Sequence, residues 1–162
     1  MIEFQRNFLS PDLYQKVEYY CYRADYYYGE QDNPNQIPTG LVHDLNLDSE
    51  IVGYFPKEKN NIPLYRVYIN LFNPGEKPHF HIDGNGYTSL FYINNDPYYL
   101  DEGGCTEILT HEDYITSIMP MRNSLVTFEA KLKHRATSFK TLPRFTLALK
   151  YEHYTPVSSI NS

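Results

Sequence analysis

Apolar and polar residues change their period once along this chain, near Leu64. Before that point the spacing is helical. Leu13, Val17, Tyr20 and Cys21 recur on one helix face, which predicts a helix from Pro11 to about Ala24. Its start is marked by Ser10 as N-cap, Pro11 at the first helical position and Asp12 against the positive end of the dipole. The stretch from Gly29 to Gly40, rich in Asn, Pro and Gln, reads as loop. A second, weaker helical pattern covers Leu41 to Val52. From Leu64 the period drops to two, and turn residues break the chain into short runs. The predicted strands are Leu64 to Phe72, Pro78 to Asp83, Tyr87 to Asn94, Cys105 to Leu109, Ile115 to Met119, Asn123 to Phe128, His134 to Phe139 and Arg144 to Tyr151. Short strands that follow helices, without alternating with them, predict a mainly β sandwich or jelly roll with N-terminal helices. The expected organisation is one domain over residues 1–162, with a helical lead-in (1–63) and a β core (64–152).

Composition sharpens this reading in one respect. The chain carries 17 Tyr and nine Phe but no Trp, and such residues suit pleated, half-buried surfaces. The net charge of −6 and the lack of clustered Lys and Arg argue against a nucleic-acid backbone as partner. No apolar run reaches membrane-spanning length and the N-terminus has no secretory pattern, so no membrane partner is expected. Cys21 and Cys105 make neither a disulfide framework nor a thiolate metal site, which fits a reducing, cytoplasmic setting.

Candidate chemistry gathers in the β region. His81 and Asp83 stand two apart on one predicted strand, so both side chains can reach one metal ion. Two His and one carboxylate on one side of an octahedron form the facial triad of non-haem Fe(II) sites, and His134 is placed to be the third ligand. A second His-x-Asp, His111-Glu112-Asp113, lies in a polar turn and reads as solvated loop. Arg144 opens the next strand, where its guanidinium could bind a carboxylate bidentately at the bottom of a pocket. His79 shares the face of His81 and reads as a lining or surface residue.

These residues sit in a longer series. Asn7-Phe8-Leu9-Ser10-Pro11-Asp12, Tyr65-Arg66-Val67-Tyr68, Asn73-Pro74-Gly75, His81-Ile82-Asp83, Leu90-Phe91-Tyr92-Ile93-Asn94, Gly103-Gly104-Cys105-Thr106, Leu125-Val126-Thr127-Phe128, His134-Arg135 and Arg144-Phe145-Thr146 follow in order. The series resembles the 2-oxoglutarate- and Fe(II)-dependent oxygenases, in particular their prolyl 4-hydroxylase-like branch. The resemblance implies a double-stranded β-helix, the cupin-like form of jelly roll. It implies iron at His81, Asp83 and His134. It further implies the co-substrate's C5 carboxylate at Arg144, with the Tyr92 hydroxyl donating to it. The chain departs from that pattern at Phe72, where several prolyl hydroxylases carry Tyr, and in its short Gly84-Asn85-Gly86 loop.

The implied activity is hydroxylation of a C–H bond, first of a prolyl residue in a peptide or protein. Fe(II), 2-oxoglutarate and O2 would be required, with ascorbate as an accessory reductant. The alternatives are the same chemistry on a free amino acid or another small molecule, or a jelly-roll binding module without catalysis.

Overall fold

The computed structural model describes residues 1–29, 39–94 and 100–153. Two antiparallel sheets face each other. The strands are β1 (Glu3–Gln5), β2 (Tyr27–Tyr28), β3 (Leu41–Leu45), β4 (Glu58–Lys59), β5 (Ile62–Phe72), β6 (Tyr87–Tyr92), β7 (Thr106–Leu109), β8 (Ile115–Ile118), β9 (Ser124–Glu129), β10 (His134–Ala136) and β11 (Arg144–Tyr151). The large sheet runs in the order β1-β9-β6-β11-β5-β3-β2, with β4 paired to β5; the small sheet runs β10-β7-β8. This is the double-stranded β-helix. Helix α1 (Pro11–Cys21) and the short α2 (Glu50–Gly53) pack on the outer face of the large sheet. No helix among the described residues is long and apolar enough to cross a membrane.

Helix α1 begins as its sequence dictates, with the Ser10 hydroxyl accepting from the Leu13 amide and Pro11 at the first turn. It ends at Cys21, three residues before the sequence pattern does, and buries Tyr14, Val17 and Cys21. Two expectations fail. The helix predicted over Leu41 to Val52 is instead strand β3 followed by a turn and the four-residue α2. Apolar residues at 41, 42, 45, 51 and 52 fit a helical face, but β5 offers a long strand edge. Val42 pairs with Asn70 and Leu45 with Val67, and the backbone hydrogen bonds are satisfied across the sheet. The strand predicted over Pro78 to Asp83 is an extended segment with one bridge, His81 to His134. Pro78 has no N–H to contribute to a ladder. The predicted loop between Gly29 and Gly40 falls mainly outside the described residues.

The two faces of the large sheet have different tasks. On the outer face Val67, Ile69, Phe91, Leu147 and Leu149 form one core with α1 and α2. On the inner face Tyr68, Leu90, Tyr92, Val126, Phe128 and Ala148 form a second core with Ile108 of the small sheet. Strand β11 is buried along its whole length. Its odd positions, Phe145 to Tyr151, join the outer core. Period two then sends Arg144, Thr146, Ala148 and Lys150 inward.

At the start of β6 the chain passes so close to the end of β11 that a Cβ on Gly86 would lie 1.7 Å from the Tyr151 carbonyl oxygen. Only glycine fits there without moving backbone. Gly86→Ala is expected to cost about 2–3 kcal/mol. The thermal midpoint should fall by roughly 4–12 °C, measured by circular dichroism.

Candidate metal and dicarboxylate site

The site opens between the sheets. His81 and His134 form a hydrogen-bonded antiparallel pair, each amide donating to the other's carbonyl at 3.0 Å. This pairing sets the two imidazoles side by side, with ring centroids 4.4 Å apart. Two residues on, the Asp83 amide donates to the Ala130 carbonyl at 3.0 Å, in the turn that leads into β10, so the segment stays against the same neighbouring stretch of chain. His81 and Asp83 therefore share a face although their segment is not a regular strand.

Hydrogen bonds then decide which imidazole nitrogen looks inward. Nδ1 of His81 lies 3.0 Å from the His79 carbonyl, and Nδ1 of His134 lies 2.9 Å from the Leu132 carbonyl. A carbonyl only accepts, so both Nδ1 atoms carry the proton and both Nε2 atoms face the site. Nε2 of His81 is 3.5 Å from Asp83 Oδ1, and Nε2 of His134 is 3.1 Å from Oδ2. One donor atom from each residue lies within 4.8 Å of the others. Three converging lone-pair atoms repel one another unless a cation sits between them, and two imidazoles with one carboxylate suit Fe(II). The residues present fit such an ion. His134 is buried against Phe128, with ring centroids 4.7 Å apart.

The electrostatics of Asp83 follow from its neighbours. Burial would push its carboxyl up, but the Lys150 ammonium outweighs this and holds it well below the usual carboxylate range. Thr88 Oγ1 donates to Oδ2 at 2.6 Å.

Arg144 lies at the bottom of the same cavity, 1% exposed. Its Nε donates to the Gly104 carbonyl at 2.8 Å and its Nη2 to Thr106 Oγ1 at 3.1 Å. Among the described residues no carboxylate pairs with it, and burial lowers its pKa. A fully buried guanidinium without an anion is costly, so the fork is matched to an anionic ligand. Tyr92 is also buried, and its hydroxyl donates to Thr106 Oγ1 at 2.8 Å. Burial pushes that phenol up to about 12. Thr106 thus joins Tyr92 to Arg144, whose guanidinium lies 5.6 Å from the Tyr92 ring centre.

Further polar residues to which the sequence assigned no role line this cavity, among them Asn70, Thr146 and Lys150. Thr146 and Asn70 are direct neighbours across β11 and β5. Thr146 Oγ1 and Asn70 Oδ1 are buried with no hydrogen-bond partner, as atoms reserved for a ligand would be. The signal was present in the sequence, since 144, 146 and 150 share parity, but parity alone does not say which face is inside. Tyr68 lines the cavity four residues before Phe72 on the same strand face, so the cavity has a phenol despite the Phe at position 72. His79 is exposed and contributes only its carbonyl. His111, Glu112 and Asp113 form an exposed turn between β7 and β8.

No protein-family model matches the chain, and no curated protein matches it by sequence. Solved structures do match in fold. A prolyl-4-hydroxylase from Pseudomonas putida superposes with a TM-score of 0.75 at 14% identity, covering 94% of this chain and 92% of that one. A prolyl hydroxylase from Trichoplax adhaerens, in complex with a hypoxia inducible factor oxygen degradation domain peptide fragment, gives 0.70 at 16% identity over 93% and 83%. A viral collagen prolyl hydroxylase from Paramecium Bursaria Chlorella virus-1, in its 2OG complex, gives 0.69 at 13% identity over 94% and 96%. The fold of the chain is that of the prolyl hydroxylases and 2OG-Fe(II) oxygenases.

Proposed function

We propose that the chain is an Fe(II)- and 2-oxoglutarate-dependent oxygenase that hydroxylates a C–H bond, with a prolyl residue in a peptide as first substrate. One observation carries the reading. The cavity lined by His81 and His134, whose imidazole nitrogens meet the Asp83 carboxylate, also holds the buried, anion-free guanidinium of Arg144. A metal site alone has no use for that cation, and a sugar-binding module has no use for either. The peptidyl-proline substrate is supported by three of the fold neighbours, which are prolyl hydroxylases, one of them in complex with a peptide.

In this reading His81, Asp83 and His134 hold iron, and Arg144 pairs with the far carboxylate of 2-oxoglutarate. Thr146 and Asn70 line the path between them and supply polar contacts to the co-substrate. Tyr92 supports Arg144 through Thr106 and is within reach to join the carboxylate contact. Iron, when bound with 2-oxoglutarate, supplies the O2-dependent oxidising chemistry that the protein side chains lack. The work of the chain is to orient and to exclude water: Leu90 and Phe72 line the cavity beside the polar groups.

Anaerobic titration of Fe(II) and 2-oxoglutarate tests the reading directly. The expected result is a weak visible charge-transfer band in the wild-type protein that is absent from His81→Ala. A wild-type protein that binds neither metal nor 2-oxoglutarate would leave the binding-module alternative.

A further inference from the structure

Lys150 is the charged group in this cavity to which the proposed reaction assigns no task. It is 6% exposed and projects inward from β11, directly across the ladder from Thr88 of β6. Its ammonium pairs with Asp83 Oδ2, and it lies 3.4 Å from Thr88 Oγ1. Thr88 donates to that same Oδ2 at 2.6 Å. The two oxygens of Asp83 are thus unequal. Oδ2 lies 3.1 Å from His134 Nε2 and also takes an ammonium and a hydroxyl donor, whereas Oδ1 faces His81 Nε2 at 3.5 Å without such a tie.

This inequality matters for an octahedral ion. Two imidazole nitrogens and one carboxylate oxygen leave half of the positions open, and a second carboxylate oxygen would take one of those. On the reading of the site as an iron oxygenase, we infer that Lys150 is a positioning residue: with Thr88 it ties down Oδ2, so that Asp83 offers Oδ1 alone to the metal. Groups behind a ligand commonly orient it in this way, and losing one typically weakens metal binding by about ten- to hundredfold. A lysine that is only a counter-ion has the opposite effect. As a like charge beside a dication it weakens metal binding, so removing it would strengthen affinity. The sign of the change separates the two roles.

The test is calorimetric titration of Mn(II) or Co(II) into the wild-type protein, Lys150→Met, Lys150→Arg and Thr88→Val, with the visible spectrum of bound Co(II) recorded for each. The expected result is a metal affinity about ten- to hundredfold lower in Lys150→Met, recovered in Lys150→Arg. Thr88→Val should show a smaller loss, and Co(II) spectra should differ between wild type and Lys150→Met. An affinity unchanged or raised in Lys150→Met overturns the inference. Thr88→Val removes the other tie without unpairing a buried charge, and it decides the matter if Lys150→Met fails to fold. Unchanged affinity and spectrum there overturn the inference too. Failure of the wild-type protein to bind either ion removes the iron-site reading itself. Wild-type binding that these substitutions do not weaken removes only the role of Lys150.

Discussion

Asp83→Ala is expected to reduce 2-oxoglutarate turnover to the uncatalysed background and to abolish the charge-transfer band. Asp83 is the only carboxylate in the described cluster of metal-binding groups. Without it two neutral imidazoles face a dication with no charge compensation. The substitution also strands Lys150, which is even more buried than its partner: the side chains are 7% and 11% exposed. Breaking a buried pair by removing one member costs about 3 kcal/mol or more, so the thermal midpoint should fall by roughly 6–12 °C. Asp83→Asn separates the two effects, because it keeps volume and an acceptor for Thr88 while removing the charge. The carboxyl is held below its usual range, so its contribution to stability is complete above about pH 4 and is lost only as pH falls through its folded value. The stability gap between wild type and Asp83→Asn should stay level between about pH 6 and 8 and narrow on acidification. Succinate release and denaturation across pH measure both. Wild-type turnover in Asp83→Ala would remove the iron assignment.

The second large effect is expected at Arg144. Arg144→Gln should raise the KM for 2-oxoglutarate by about ten- to hundredfold, the range that follows from about 1.5–3 kcal/mol for a charge-assisted hydrogen bond. The assignment is to one end of the co-substrate, so 2-oxobutyrate, which lacks the far carboxylate, provides the control. Wild type should prefer 2-oxoglutarate strongly, and Arg144→Gln should lose most of that preference. Stability should move little or rise. The guanidinium is fully buried with a carbonyl and a hydroxyl as its partners, and its removal relieves a desolvation cost. Activity lost without stability lost is the pattern of a ligand-binding cation, whereas a structural arginine would lose both. An unchanged preference between the two keto acids would reassign Arg144 to the scaffold.

Much of this was legible in the residues because it depends on local rules. Ser10-Pro11 starts a helix wherever it stands, since an N-cap hydroxyl and a proline satisfy the first turn by themselves. The spacing of His81 and Asp83 places two ligands on one face, and that holds in any extended segment, which is why the pair survived the loss of its predicted strand. Arg144 opening the last strand was likewise visible.

What the local pattern misassigned was what depends on a distant partner. Residues 41–52 satisfy a helical spacing, but the free edge of β5 captures 41–45 as strand, and that edge is fixed by residues far along the chain. Asn70, Thr146 and Lys150 share the parity of known pocket positions, yet either face of β11 could have been the interior, because all eight of its residues are buried. The helices on one face and the small sheet on the other settle that choice. Residue types and spacings suited to iron and a dicarboxylate are already written in the chain. That these residues come together, and that Lys150 reaches Asp83, follows from packing, because burial and pairing are properties of packed elements and not of any one segment.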